Sequence, residues 1–381
     1  MISNWLSAAL ARRNIHYGWV MVGVTFFTAL ISAGTVGAPG VFIVPLQHEF
    51  GWTTAEISSA LSIRFILFGL MAPFAAALLN RYGLRNVTLS ALLIVASALV
   101  TSLGMTKVWQ LMLLFLPLLA SITERVGWRI ALGLMCVMLA VAAFAVLMLM
   151  RDRPSDVGLR PFGDEGTEPL PAPPASNAPI MAAALGTLRD ASKQRVFWIL
   201  FATFFICGAS TNGLVQVHLI PMCLDFGIPQ VQAASLLAAM GVFDFFGTIM
   251  SGWLSDRYDN RWLLFWYYGL RGLSLLFLPF SDFSFYGLSL FAMFYGLDWI
   301  ATVPPTVRLT AQRFGPERAN LVFGWIFAGH QMGAATAAFG AGLSRTLLAT
   351  YLPAFFVAGA LCVVAALIVL AIARPPKPVA A

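Results

Sequence analysis

The chain has 381 residues, of which 60% are hydrophobic and only 10% charged. A water-soluble chain would carry about 25% charged residues, so a soluble enzyme or helical scaffold is excluded. The net charge of +7 is not gathered into a basic stripe, which argues against a nucleic-acid surface.

The apolar residues come in blocks long enough to cross a bilayer, which takes roughly 20 residues of helix. In chain order, the first half offers spanning helices at 16–46, 54–79, 87–105 and 128–150. A segment rich in Pro and mixed charge follows at 151–195 and reads as a solvated linker; its end, 181–193, suits a surface helix. The second half offers spans at 196–223, 231–254, 262–278, 283–303, 321–343 and 351–373. The chain thus divides into an incomplete first bundle (1–150), the linker, and a six-helix bundle (196–381).

Residues 109–121 are apolar but too short to span, and Pro117 interrupts any helix there. They read as a bent element at the outer surface, leaving about ten crossings. The charges support that parity. With the N-terminus in the cytoplasm, only Lys107, Arg125, Arg129 and Arg345 fall outside, while the remaining loop cations lie inside. That asymmetry obeys the positive-inside rule and puts both termini in the cytoplasm.

Between the second-half spans ending at 254 and starting at 262 runs Gly252-Trp-Leu-Ser-Asp256-Arg257-Tyr-Asp-Asn-Arg261. A degenerate copy in the first half keeps Arg81, Gly83 and Arg85, with Asn80 at the acidic position. Two such loops suggest a duplicated membrane protein. The charges of the Asp256–Arg257 loop are expected to hold the helix ends of the second half together.

Ionisable groups within a span are costly and tend to face a cavity or a partner. Arg64, Asp244, Arg271, Asp298 and His330 each lie near mid-span. Arg offers a planar fork matched to a carboxylate, and His or Asp can change charge as access alternates. Arg271 is read as the structural partner of Asp244 or Asp298. Asn212 and Gln216, four apart on one helix face, and Gln331 beside His330 are candidate polar contacts; His218 lies near the outer end of its span. Gly34, Gly37, Pro39 and Gly40, and Pro304-Pro305, read as close-packing or bend points. The dispersed cysteines Cys136, Cys207, Cys223 and Cys362 read as small buried hydrophobes. No Walker, H-E-x-x-H or G-x-S-x-G motif is present, so neither an enzyme, a cofactor nor a metal site is expected.

The loop signature and its half-copy resemble those of the major facilitator superfamily. Within it, His16-Tyr-Gly-Trp-Val-Met, the run from Gly40 to Trp52, and Arg151-Asp-Arg-Pro-Ser-Asp-Val-Gly-Leu-Arg160 are similar to the monocarboxylate and oxalate–formate transporter branch. The resemblance implies an all-α membrane protein with a two-bundle helical fold. Such proteins have six helices per half, so by this resemblance roughly 40 to 50 residues covering most of the fourth and fifth helices are missing around 109–121. It also implies a secondary transporter of small organic anions, chiefly monocarboxylates, coupled to a proton or counter-substrate and embedded in a bacterial inner membrane. The branch often has Arg four residues after the Asp at position 244; here that residue is Thr248. A transporter or efflux protein for another small solute, or a non-transporting deletion variant, are the alternatives.

Overall fold

The computed structural model describes residues 2–37, 43, 46–47, 49–102, 128–160, 162, 179–281 and 283–373. Every regular element among them is helical. In the first half these are α1 (Ile2–Ala11), α2 (Gly18–Gly37), α3 (Thr54–Tyr82), α4 (Leu84–Ser102) and α5 (Trp128–Leu149). A surface helix α6 (Ile180–Ala191) precedes α7 (Arg195–Gly208), a π-helical turn (Ala209–Val215) and α8 (Gln216–Asp225). Then follow α9 (Gln230–Ser255), α10 (Asn260–Phe277), α11 (Phe285–Asp298), α12 (Val303–Phe314), α13 (Pro316–Leu348) and α14 (Leu352–Val369).

Local chemistry explains several of these starts. The Asp259 carboxylate accepts from the Arg261 N–H to begin α10, and the Ser284 hydroxyl accepts from Gly287 N–H to begin α11. Helices α12, α13 and α14 each open with a proline in the first turn, where the missing N–H leaves nothing unsatisfied.

Among the described residues, six helical runs are long and apolar enough to cross a membrane: Thr54–Tyr82, Arg195–Asp225, Gln230–Ser255, Asn260–Phe280, Phe285–Phe314 and Leu352–Val369. Helices α2, α4 and α5, of 20, 19 and 22 residues, occupy the other spans expected in the first half. Helix α13 has 33 residues and covers the span expected at 321–343. The short element expected at 109–121, with Pro39 and Gly40, lies outside the described residues.

The chain forms two compact units. The first comprises Met1–Ala38, Ala77–Met105 and Leu113–Ile180; the second comprises Pro39–Ala76, Thr106–Met112 and Met181–Ala381. Helix α3 passes from one unit to the other after Ala76.

In the first unit α5 packs against α2 and α4. The Tyr17 hydroxyl donates to the Leu149 carbonyl at 2.7 Å. Arg85 Nη2 donates to the Leu147 carbonyl at 2.7 Å, and its backbone N–H to Asp152 Oδ1 at 2.8 Å. Gly83 has φ +83°, and a side chain there would collide with the Asp152 carboxylate; a Cβ is disfavoured on both counts.

In the second unit α7 packs on α13, α9 on α11 and α10 on α14. The π turn sets the first of these pairings. An α-helix turns about 100° per residue, so positions five apart diverge by about 140°. Here Gln216 N–H reaches back five residues to the Thr211 carbonyl, which brings Gly208 and Gly213 close to one face. Both then meet α13 backbone: Gly208 lies against the His330 carbonyl and Gly213 against that of Ala334. From α3, Ser62 Oγ donates to the Ala335 carbonyl at 2.8 Å.

The span expected at 283–303 contains α11 and a non-helical stretch at 299–302, after which α12 begins at Val303; the whole run Phe285–Phe314 is long and apolar enough to cross a membrane. The reason for the non-helical stretch is Pro304-Pro305: two consecutive residues without N–H donors cannot continue the hydrogen-bond ladder of α11.

Candidate substrate and coupling site

The break between α11 and α12 exposes backbone groups inside the second unit, and side chains from neighbouring helices occupy them. Asp244 Oδ1, from α9, accepts from the Ile300 N–H at 2.9 Å. Ser251 Oγ, also from α9, donates to the Ala301 carbonyl. Arg271 Nη2, from α10, donates to the Asp298 carbonyl and, at 3.1 Å, to the Trp299 carbonyl. Irregular backbone at membrane depth is tolerated only where such partners exist.

Arg271 does more than cap the helix. Its side chain is fully buried, and Nε donates to Asp298 Oδ2 at 2.7 Å. Nη1 donates to Cys207 Sγ at 3.0 Å. The guanidinium lies 5.9 Å and 6.0 Å from the ring centroids of Tyr268 and Tyr295, within cation–π range. Cys207 Sγ also lies 3.3 Å from Thr302 Oγ1 and neighbours His330. The His330 ring sits 4.8 Å from Phe204 and stacks on Phe327 at 5.5 Å.

Of the residues singled out from sequence, this cluster therefore unites Asp244, Arg271 and Asp298, with His330 joined through Cys207. Arg271 pairs with Asp298 rather than Asp244, whose Oδ1 accepts from Thr248 Oγ1 at 3.0 Å. Arg64 lies on α3, half-buried, its guanidinium 5.4 Å from the Phe65 ring. Asn212 and Gln216 are half-buried on the α7–α8 rod, and Gln331 is buried on α13. His218 is fully buried, and its Nε2 lies 2.9 Å from the Ala338 carbonyl. That contact is packing chemistry.

The reading of Cys207 as a plain hydrophobe is corrected, because its sulfur accepts from a guanidinium. Ser251 and Thr302 were not anticipated either. A signal existed for Cys207: it starts the polar run Cys207, Ser210, Thr211, Asn212 on an otherwise apolar helix.

The paired loops do related work in the two halves. Arg261 Nη1 donates to the Ile372 carbonyl, just beyond α14, at 2.8 Å, as Arg85 does to Leu147 near the end of α5. Asp256 pairs with Arg308 of α12 at 2.8 Å. Arg257 stacks over the Trp253 ring at 4.2 Å, and Arg81 lies 5.4 Å from the Tyr82 ring. Gly252 has open space where a side chain would project.

Residues 25–118, 112–335 and 217–381 match the sequence profile of the Major Facilitator Superfamily. The chain belongs to that superfamily. Among similar proteins, an uncharacterized MFS-type transporter, YcxA, of Bacillus subtilis is 22% identical over 90% of this chain and 91% of its own length. Monocarboxylate transporter 13 of Rattus norvegicus is 25% identical over 90% of this chain and 86% of its own. The crystal structure of a mutant of the nucleoside transporter NupG superposes with a TM-score of 0.68. It covers 93% of this chain and 100% of that one at 12% identity, and so supports the fold alone. This superfamily member is thus an integral membrane transporter and not an enzyme.

Proposed function

We propose that the protein moves small organic anions, monocarboxylates foremost, by alternating access with a proton or counter-substrate. The broken helix at 299–302 carries this reading. Discontinuous helices are where many secondary transporters bind substrate and coupling ions, and here a titratable carboxylate, Asp244, accepts from the break itself. Protonating Asp244 would remove a charged acceptor from Ile300 N–H and free the segment to shift. Asp298 and Arg271 keep the break assembled. Arg64 supplies the fork for a carboxylate, with Asn212, Gln216 and Gln331 as polar contacts and His330 as the second titratable group. The similarity to proteins named monocarboxylate transporters supports the substrate class. In this reading the halves 1–150 and 196–381 flank a cytoplasmic linker, both termini are cytoplasmic, and the membrane is a bacterial inner membrane. The loop residues Arg81, Gly83, Arg85, Gly252, Asp256, Arg257 and Arg261 support the moving helix ends.

The test is uptake into proteoliposomes of a panel of radiolabelled carboxylates with external buffer at about pH 6 and about pH 8, on either side of the usual imidazole range. At least one monocarboxylate should enter, faster at the lower external pH if protons are co-transported. Arg64→Ala should cut that uptake at fixed pH, and His330→Ala should flatten its pH dependence. Transport of a neutral solute with no carboxylate uptake at either pH would reject the substrate class. Native-like uptake and pH response in both variants would remove Arg64 and His330 from the mechanism.

A further inference from the structure

The helix ahead of the first span has its polar face turned inward. In α1, Ser3 and Ser7 are buried, while Ile2 is 52% and Trp5 69% exposed. Trp5 is two residues from each serine and so lies about 160° round the helix from both. Arg12 and Arg13 follow directly after α1, and both are exposed.

Hydrogen bonds fix this pose at both ends of α1. At its start, Arg151 Nη2 donates to Ser3 Oγ. At its end, Ile15 N–H reaches back to the Leu10 carbonyl and Asn14 N–H to the Ala11 carbonyl, both at 3.0 Å. Asn14 has φ +56°, which makes this a Schellman turn with Asn in its left-handed position. His16 Nδ1 then accepts from Gly18 N–H at 3.0 Å to start α2. The direction of α1 is therefore set relative to α2.

The same contacts set its depth. The Tyr17 hydroxyl, one residue before α2, donates to the carbonyl of Leu149, the last residue of α5. So α2 begins and α5 ends at one level. Arg151, two residues beyond α5, ties the first turn of α1 to that level, and the Schellman turn ties the last. Helix α1 thus runs along the bilayer surface. Trp19, 62% exposed on the first turn of α2, stands there as an interfacial aromatic would.

We infer that α1 is an interfacial anchor: its Ile2 and Trp5 face lies in the headgroup boundary of the leaflet where α2 begins, and Arg12 and Arg13 bind anionic phospholipid there. Two observations select the bilayer over a protein partner. The hydrogen-bonded connection over residues 12–17 joins α1 directly to a membrane span, so the bilayer surface is already beside it. The outward apolar side chains also end in a pair of exposed cations, the pattern that places Trp and Ile at the acyl boundary and guanidinium groups at the phosphates. Through Arg151 the anchored helix is joined to the end of α5. This role requires no substrate.

The experiment uses the full chain with Cys136→Ala and one environment-sensitive fluorophore at Ala8→Cys, an exposed position of α1. Single chains in nanodiscs of phosphatidylcholine alone, or of an equal mixture with phosphatidylglycerol, are titrated with acrylamide from water and with brominated phosphatidylcholine from the bilayer. Each cation near an anionic surface favours the bound pose by a factor of about five. Bromolipid quenching should therefore rise with phosphatidylglycerol, and acrylamide quenching should fall. The double variant Arg12→Gln/Arg13→Gln should return both to their values in phosphatidylcholine alone, and Trp5→Ser should weaken bromolipid quenching in either lipid. Bromolipid quenching that ignores phosphatidylglycerol, or that survives loss of both arginines or of Trp5, overturns the proposal. So does a label shielded from both quenchers in every lipid, since protein would then cover this face.

Discussion

Arg271 joins three helices of the second unit, because one side chain serves the Asp298 carboxylate, the Cys207 thiol and two main-chain carbonyls. Removing it strands Asp298 without its cation and uncaps α11. Breaking a buried ion pair in this way costs about 3–5 kcal/mol. Arg271→Leu should therefore lower the thermal midpoint in detergent sharply, followed by tryptophan fluorescence. The double variant Arg271→Leu/Asp298→Asn should recover part of the loss, because it no longer leaves a buried charge alone. A single variant as stable as the native chain, or a double variant worse than the single, would show that the pair is not what holds the break. The residue types were legible from sequence: a mid-span cation with mid-span anions implies pairing, and Arg271 was expected to have a structural carboxylate partner. The choice of Asp298 over Asp244 was not legible, nor was the use of Asp244 as a backbone acceptor. Both follow from the helix break, and a break has no signature beyond Pro304-Pro305, which also occurs at simple bends.

Helix ends and helix faces account for most of what the second unit adds to this. The loop from Gly252 to Arg261 was read as a tie between helix ends, with Asp256 prominent. The geometry redistributes that role. The Asp256–Arg308 pair has side chains 57% and 49% exposed, and exposed pairs contribute about 0–1 kcal/mol. Arg261 is only 8% exposed and bonds a carbonyl beyond α14; a charged hydrogen bond contributes about 1.5–3 kcal/mol. Arg261→Ala should thus lower the melting temperature clearly more than Asp256→Ala, and the reverse order would refute this assignment. Arg85 occupies the matching position in the first unit, so the internal duplication visible as a sequence motif is also a duplication of physical task. Faces give a second contrast. Gly213 meets the Ala334 carbonyl, whereas nothing lies near a side chain at Gly252. Gly213→Ala should destabilise the protein and Gly252→Ala should not, although only the second lies in the signature loop. Sequence could not reveal the first site. The π turn that aims Gly213 at α13 leaves composition and hydropathy unchanged.

At the scale of the whole molecule, hydropathy made the helical membrane fold legible, because bilayer thickness fixes the length of an apolar block, while the superfamily was legible through the resemblance of the Gly252–Arg261 loop and its first-half copy at Arg81, Gly83 and Arg85. Orientation is the prediction that belongs here. The distribution of Arg and Lys puts the 151–195 segment on the cytoplasmic side and the α13–α14 connection on the other. Two described sites report on this directly. Ser155 is exposed after α5, and Ala349 is exposed between α13 and α14. Of the native cysteines, Cys207, Cys223 and Cys362 are buried, and Cys136 is only partly exposed, so Cys136→Ala gives a quiet background. In intact cells an impermeant maleimide should label Ala349→Cys but not Ser155→Cys, and permeabilisation should make Ser155→Cys reactive. The parity of crossings between the two sites links the outcomes. Labelling of Ser155→Cys from outside, with Ala349→Cys protected, would invert the orientation. Labelling of both from outside would put an even number of crossings between them where the charges require an odd one, and the helix count itself would have to change.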